Sequence, residues 1–170
     1  MSRRWKTSAG KVRLGVLSDT HGRLHEDVLR HFDGVDHIIH AGDVGETDIL
    51  ESLKSVATVT AVAGNSDGLY VRSMLPDEAA GEVGGIRFLV GHRRTYLMER
   101  HGDPASEGYD LVVCGHTHAA FADWHDGVLY LNPGSATAPG PGERATLVIV
   151  EVDQDGLDPH IVPLEQEDLE

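Results

Sequence analysis

Five times along the chain a run of apolar residues stops abruptly at a polar cluster. VRLGVL (Val12 to Leu17) runs into SDTHG, HIIHA into GD, the β-branched SVATVTAVA into GNSD, EVGGIRFLV into GH, and DLVVC into GHTH. Short uninterrupted apolar runs of this kind predict strands buried on both faces. Between them, Leu24, Val28 and Phe32 recur at helical spacing in LHEDVLRHF. TDILESLK, with Thr47 placed to cap and Lys54 in the last turn, predicts a second helix. Gly84 and Gly85 predict the turn of a hairpin within EVGGIRFLV. YLMERH reads as a helix packed on its own core or as a contact between copies of the chain. Beyond GHTH, the stretches AAFADWHDGVLYLNP, ATLVIVEVDQDG and LDPHIVPL are broken by Gly and Pro turns and predict hairpins or a meander. No repeat or linker interrupts this order, so residues 1–170 read as a single domain. The basic residues 1–11 and the acidic residues 165–170 are expected to be loose ends.

In sheets built from β-α units, ligands collect just beyond the carboxyl ends of the strands. Here those ends carry Asp19, His21, Asp43, Asn65, His92, His116 and His118. Four of the five clusters begin with Gly, which lets the chain turn off a strand sharply and approach another loop closely. Any one of these side chains could simply cap or shape a turn; five clusters in register favour a shared site. His40 lies inside an apolar run and reads as a hydrogen-bonded core histidine. His25, His31, His37, His101, His125 and His160 have no partner motif and read as surface or structural. In NPGS, Asn132 and Ser135 would shape a tight turn and support the site from behind.

Composition narrows the partners. The 170 residues, 40% of them hydrophobic, can bury a sizeable core. Fourteen Lys and Arg stand against 28 Asp and Glu, a formal net charge of -14. Such a surface repels phosphate backbones and anionic lipids, which disfavours nucleic acid and membrane as partners. No stretch approaches the roughly 20 apolar residues of a membrane helix, and a cytoplasmic location is expected. The single cysteine, Cys114, has apolar neighbours and reads as a buried structural thiol. Homo-oligomerisation is left open by the sequence.

Carboxylates, imidazoles and one amide form a mixed nitrogen and oxygen donor set, which suits Mn, Fe, Zn, Co or Ni rather than Ca or Mg alone. Seven donors exceed what one catalytic ion needs and suffice for two if a carboxylate bridges. Paired divalent ions recur in the hydrolysis of phosphate esters. Two divalent ions against two carboxylates leave roughly two positive charges, a local surplus that an anionic ester would fit despite the acidic surface.

Taken in order, DTH, GD, GNSD, GH, GHTH and NPGS resemble the calcineurin-like metallophosphoesterases, most closely their small bacterial and archaeal phosphodiesterases. The resemblance covers Val12 to about Val162. It implies an α/β fold, a two-sheet mixed β-sandwich flanked by helices in four α/β/β/α layers. It also implies two transition-metal ions, manganese foremost with nickel, cobalt, iron or zinc as alternatives. Asp19, His21, Asp43 and His118 would hold the first ion and Asp43, Asn65, His92 and His116 the second, with Asp43 bridging. The implied reaction is attack of a metal-bridging hydroxide on a small phosphate ester, with Asp43, Asn65, Asp67 and His92 as the catalytic set. Arg93, Arg94 and Ser66 are candidates to contact substrate. Many members read Gly-Asn-His where this chain has Gly64-Asn65-Ser66, so the His that protonates the leaving group is replaced by a serine, a poor acid at neutral pH. Asp67, which orients that His in such members, is retained. Two alternatives stay open: a non-catalytic scaffold on the same fold, and a phosphomonoesterase or nucleotidase.

Overall fold

A computed structural model describes residues 11–140 and 142–165. Most of both expected loose ends, residues 1–10 and 166–170, lies outside the described residues. The first half builds β1 (Val12–Leu17), α1 (Glu26–His31), β2 (His37–His40), α2 (Thr47–Lys54), β3 (Thr58–Ala61), α3 (Leu69–Met74), β4 (Glu78–Val83) and β5 (Ile86–Gly91). The second half adds α4 (Arg94–His101), β6 (Leu111–Val113), β7 (Phe121–His125), β8 (Val128–Asn132), β9 (Thr146–Asp153) and β10 (Gly156–Pro163).

The strands form two mixed sheets of five, ordered β10-β9-β1-β2-β3 and β4-β5-β6-β8-β7. In the first, β1, β2 and β3 run parallel, β9 pairs antiparallel with β1, and β10 pairs antiparallel with β9. In the second, β5, β6 and β8 run parallel, edged by antiparallel β4 and β7. Leu14, Val16 and Ile39 of one sheet meet Phe88, Val90, Leu111, Val113 and Leu131 of the other. Leu17 and Ile38 instead pack outward against Val28, Phe32, Leu50 and Leu53 of the α1 and α2 region. On the far side, Leu89, Val112 and Tyr130 pack against Leu97 of α4. Neighbouring strand residues thus point to opposite buried faces, which is why the runs are continuously apolar, and the layers are α/β/β/α. Each fully buried aliphatic side chain contributes about 1.5–3 kcal/mol.

Local details depart from the sequence reading in two places. The cap of α2 is Glu46, with no side-chain cap hydrogen bond, and Thr47 is already the first helical residue. No apolar periodicity predicts helix α3, because it buries only Val71 and leaves Leu69, Tyr70 and Met74 exposed. Gly84 and Gly85 do form the β4-β5 turn, both with positive φ. Among the described residues no helix is long and apolar enough to cross a membrane.

At the end of α4, His101 hydrogen-bonds Glu78 of β4 and Glu107, each at 2.7 Å, while Arg100 also reaches Glu78. The bond to Glu78 raises the His101 pKa above its ordinary 6.5. Burial would raise Glu78, but hydrogen bonds from His101 and Arg100 outweigh it and lower that carboxyl below 4.5. The histidine's contribution is therefore complete below pH 6.5 and lost as pH climbs through its raised folded value. The glutamate's is lost as pH falls through its lowered one. We expect His101→Gln to cost on the order of 1 kcal/mol at pH 6 and less at pH 8.5, read from urea midpoints at both pH values. Equal losses at the two would show that the ion pairs contribute nothing.

Candidate metal centre

The parallel strands β1, β2 and β3 of one sheet and β5 and β6 of the other deliver their carboxyl ends to a common edge. Five of the seven candidate donors leave their strand ends with a left-handed backbone: Asp19 (φ 54°), His21 (48°), Asp43 (53°), His116 (74°) and His118 (62°). For residues with a Cβ this conformation costs roughly 1 kcal/mol or more each, and it persists only where surroundings enforce it. Here the loops enforce one another. The Asp19 N–H donates to the Gly42 carbonyl, that of His21 to Asp43, and that of Gly115 to His92.

The glycines make this closeness sterically feasible. A Cβ on Gly64 would lie 2.1 Å from Asp43 Oδ1, and one on Gly115 2.1 Å from Ser18 Oγ. Gly64→Ala should therefore displace Asp43 and cost about 1–3 kcal/mol, with metal affinity falling alongside. Thermal melts with and without metal check this, and an unchanged melting temperature would show that the loop yields freely.

Within this frame the donors are aimed. Asp19 Oδ2 accepts from Ser18 Oγ at 2.7 Å and from the His116 N–H at 3.1 Å. Its other oxygen, Oδ1, is buried without a hydrogen-bond partner. Around that oxygen stand Nε2 of His118 at 3.3 Å, of His92 at 3.8 Å and of His21 at 3.9 Å. His92 Nδ1 is 2.8 Å from the Ala41 carbonyl and His118 Nδ1 is 2.6 Å from that of Ala138. Those contacts put the ring proton on Nδ1 and leave each Nε2 lone pair facing inward. His92 Nε2 is likewise buried and unpartnered, 3.3 Å from Asp43 Oδ2. Acceptors that face one another in a buried space call for a cation between them.

The pKa directions report the same geometry. Burial raises the Asp19 carboxyl above its usual value. Burial would raise Asp43 too, but its contact with His92 and the Ser66 N–H at 2.8 Å outweigh that and hold it well below the usual carboxylate range. For His92, burial opposes the charge and is overcome by Asp43 and the Ala41 carbonyl, so its pKa rises.

Two overlapping groups of three donors each lie within 4.8 Å of one another: Asp19, His21 and His118, and Asp19, Asp43 and His92. Asp43 also reaches both sides, with His21 Nε2 at 4.0 Å. Asp19 thus belongs to both groups, and Asp43 stands within reach of histidines on either side. On the solvent side His116 Nδ1 lies 3.0 Å from Asn65 Oδ1 and its ring contacts that of His92. Two carboxylates and three imidazoles, with the buried acceptors Asp19 Oδ1 and His92 Nε2 facing each other, fit a divalent transition metal, and His116 and Asn65 stand exposed beside them, outside both groups of donors.

Other expected residues take different places. The Asp67 carboxylate accepts backbone N–H groups from Val44, Gly45 and Gly64. It ties the loop after β2 to the loop after β3. Arg93 lines a cavity of about 340 Å³ with Asn65, His92, Arg72, Asp77 and Tyr96. Arg94 is not among the residues lining that cavity; its guanidinium lies over the Tyr130 ring at 4.8 Å. Ser66 is exposed. His40 accepts from the Gly42 N–H and pairs with Thr20 Oγ1, and burial lowers its pKa to about 4, as befits a neutral core histidine. Burial likewise pushes the Cys114 thiol up to about 11, so it is no nucleophile. Asn132 donates to the Gly115 carbonyl and to Thr117 Oγ1, and Ser135 Oγ donates to the Asp19 carbonyl. Thr137, which hydrogen-bonds the carbonyls of Asp19 and Thr20, and the cavity residues Arg72, Asp77 and Tyr96 had no sequence motif to reveal them.

Comparison with known proteins identifies relatives of this chain. A probable metallophosphoesterase of Methanocaldococcus jannaschii is 36% identical over 170 residues, covering 92% of this chain and 84% of that protein. The phosphodiesterase YfcE of Escherichia coli is 29% identical over 167 residues, covering 84% and 89%. The solved structure of an archaeal phosphodiesterase superposes with a TM-score of 0.73 at 24% identity, covering 90% of this chain and all of that one. Residues 12–155 match the calcineurin-like phosphoesterase superfamily domain, and the chain belongs to that superfamily.

Proposed function

We propose that the chain is a binuclear, metal-dependent phosphodiesterase acting on a small phosphate ester. The observation that carries this reading is the pair of buried, unpartnered acceptors, Asp19 Oδ1 and His92 Nε2, 3.8 Å apart and ringed by further donors. Asp19, His21, Asp43 and His118 would hold one ion and Asp43, Asn65, His92 and His116 the other, with manganese the first candidate. Such ions supply acidified water and offset the charge on phosphoryl oxygens.

The chain's own residues do the rest. Ala41, Ala138 and the Ser66 N–H fix the orientation of His92, His118 and Asp43, so little reorganisation is needed on binding. Arg93, at the cavity beside His92, is placed to take up charge on a non-bridging oxygen. A cavity of about 340 Å³ suits a small ester. The net charge of -14 disfavours a long polyanion. A non-catalytic scaffold would have no use for five donors held in a costly left-handed backbone.

The test is hydrolysis of bis-p-nitrophenyl phosphate beside p-nitrophenyl phosphate by metal-stripped protein, with Mn, Ni, Co, Zn or Mg restored singly. Metal-restored cleavage that favours the diester is expected. Preference for the monoester would make the chain a phosphomonoesterase, and binding of metal without cleavage of either ester would favour the scaffold.

A further inference from the structure

The cavity next to the candidate metal centre is more cationic than the rest of the molecule would lead one to expect. In a chain with twice as many acidic as basic residues, guanidinium groups are readily paired. Arg30 pairs with Asp27 and Arg100 with Glu78. Arg87 donates to the Glu107 carbonyl, Arg144 to that of Leu164, and Arg94 lies over Tyr130. Arg72 and Arg93 have no such commitment: among the described residues neither guanidinium is in ion-pair contact with a carboxylate. Both line the same cavity as Asn65 and His92. They arrive from separate elements, Arg72 on α3 and Arg93 at the cap of α4, so their convergence is a product of the tertiary fold.

One anionic phosphoryl group at the metal centre would engage Arg93, the nearer of the two to the donors by chain position, directly after His92. It would leave Arg72 facing only the Asp77 carboxylate in the same cavity, with which it makes no ion pair. Besides the two guanidiniums the cavity carries one carboxylate, Asp77, suited to accept from hydroxyl or amino groups, and the ring of Tyr96. Two cations, one hydrogen-bond acceptor and one aromatic ring together match a substituent that is itself anionic, hydroxylated and cyclic. The volume of about 340 Å³ leaves room for such a group.

We infer that this cavity selects phosphodiesters that carry a second phosphate on the group retained at phosphorus, as in a nucleoside bisphosphate skeleton, with Arg72 as the specificity-determining residue for that second phosphate. The inference rests on the proposed phosphodiesterase reading for the position of the reacting phosphate. The pairing of Arg72 with a distal anion stands on the cavity alone.

Binding, measured separately from turnover, tests it. Manganese-loaded protein is titrated by calorimetry with thymidine 3′,5′-bisphosphate and with thymidine 5′-monophosphate. The bisphosphate should bind about tenfold tighter or more, the range of a charge-assisted hydrogen bond. Arg72→Gln should bring the bisphosphate down to the affinity of the monophosphate, and Arg72→Lys should keep part of the preference. Arg72 is exposed, so these variants should fold. Equal affinity of the two nucleotides for the native chain would overturn the inference, as would a preference that survives Arg72→Gln. Cleavage of bis-p-nitrophenyl phosphate by the same preparation is scored alongside. No cleavage with the bisphosphate preference intact would sink the catalytic reading and keep the cavity's specificity; cleavage without the preference would do the reverse.

Discussion

Replacing Asp43 by Asn should leave the protein folded and reduce metal-dependent phosphodiester turnover by at least about a thousandfold. The substitution conserves shape and changes charge. The carbonyl oxygen of the introduced amide can still accept the Ser66 N–H that Asp43 Oδ1 now accepts at 2.8 Å, so the loop after β3 stays anchored. Its N–H₂ would then take the place of Oδ2, 3.3 Å from His92 Nε2, and donate to it. That donation satisfies the buried lone pair which otherwise calls for a cation, and so closes the position to a metal. The centre also loses one of its two carboxylates. In the metal-free chain the same exchange removes a carboxylate that His92 and the Ser66 N–H stabilise, so the melting temperature without metal should fall modestly, while the stabilisation that metal brings disappears. Metal content per chain by mass spectrometry, melting with and without Mn, and bis-p-nitrophenyl phosphate hydrolysis check the three parts. Retention of a tenth of the native rate would end the case for Asp43 as a shared ligand.

That experiment bears on residues whose convergence was legible because of how they are delivered. A strand buried on both faces must be continuously apolar, and its end must therefore be marked by the first polar residue. In parallel strands the carboxyl ends point the same way, so VRLGVL, HIIHA and DLVVC announce both a strand and the edge at which its donor emerges. The first of these coincides with β1, Val12–Leu17. The run SVATVTAVA is longer than its strand, since Ser55 caps α2 and the Val56 and Ala57 N–H groups bond back to Leu53, leaving Thr58–Ala61 for β3.

What was not legible has physical causes of the same local kind. The helix α3 has no apolar face to betray it, because one side borders the cavity and Leu69, Tyr70 and Met74 face solvent. Arg93 and Arg94 look interchangeable in sequence, yet Arg93 is the extended cap of α4 and Arg94 its first helical residue, and the one borders the cavity while the other lies over Tyr130. The role of Asp67 depends on three backbone N–H groups from two loops, and backbone partners leave no trace in residue identity.

The native chain should hydrolyse aryl diesters far faster than alkyl ones, and Ser66→His should raise the rate on alkyl esters about a hundredfold while changing aryl rates little. An aryl oxide leaves without a proton, whereas an alkoxide needs one as its bond to phosphorus breaks. Ser66 cannot give it at neutral pH, because a hydroxyl is far too weak an acid. Residue 66 is nevertheless close to the centre, since its N–H is held on Asp43 Oδ1 at 2.8 Å and the residue is exposed. The neighbouring Asp67 already accepts three backbone N–H groups, which leaves about one of a carboxylate's four lone-pair sites for an introduced imidazole. Rates measured across diesters of rising leaving-group pKa give a steep dependence for the native chain and a flatter one for the variant. A native dependence that is already flat would mean that another acid serves the leaving group. A steep dependence that Ser66→His fails to soften, in protein that binds metal normally, would place residue 66 out of reach of the departing oxygen.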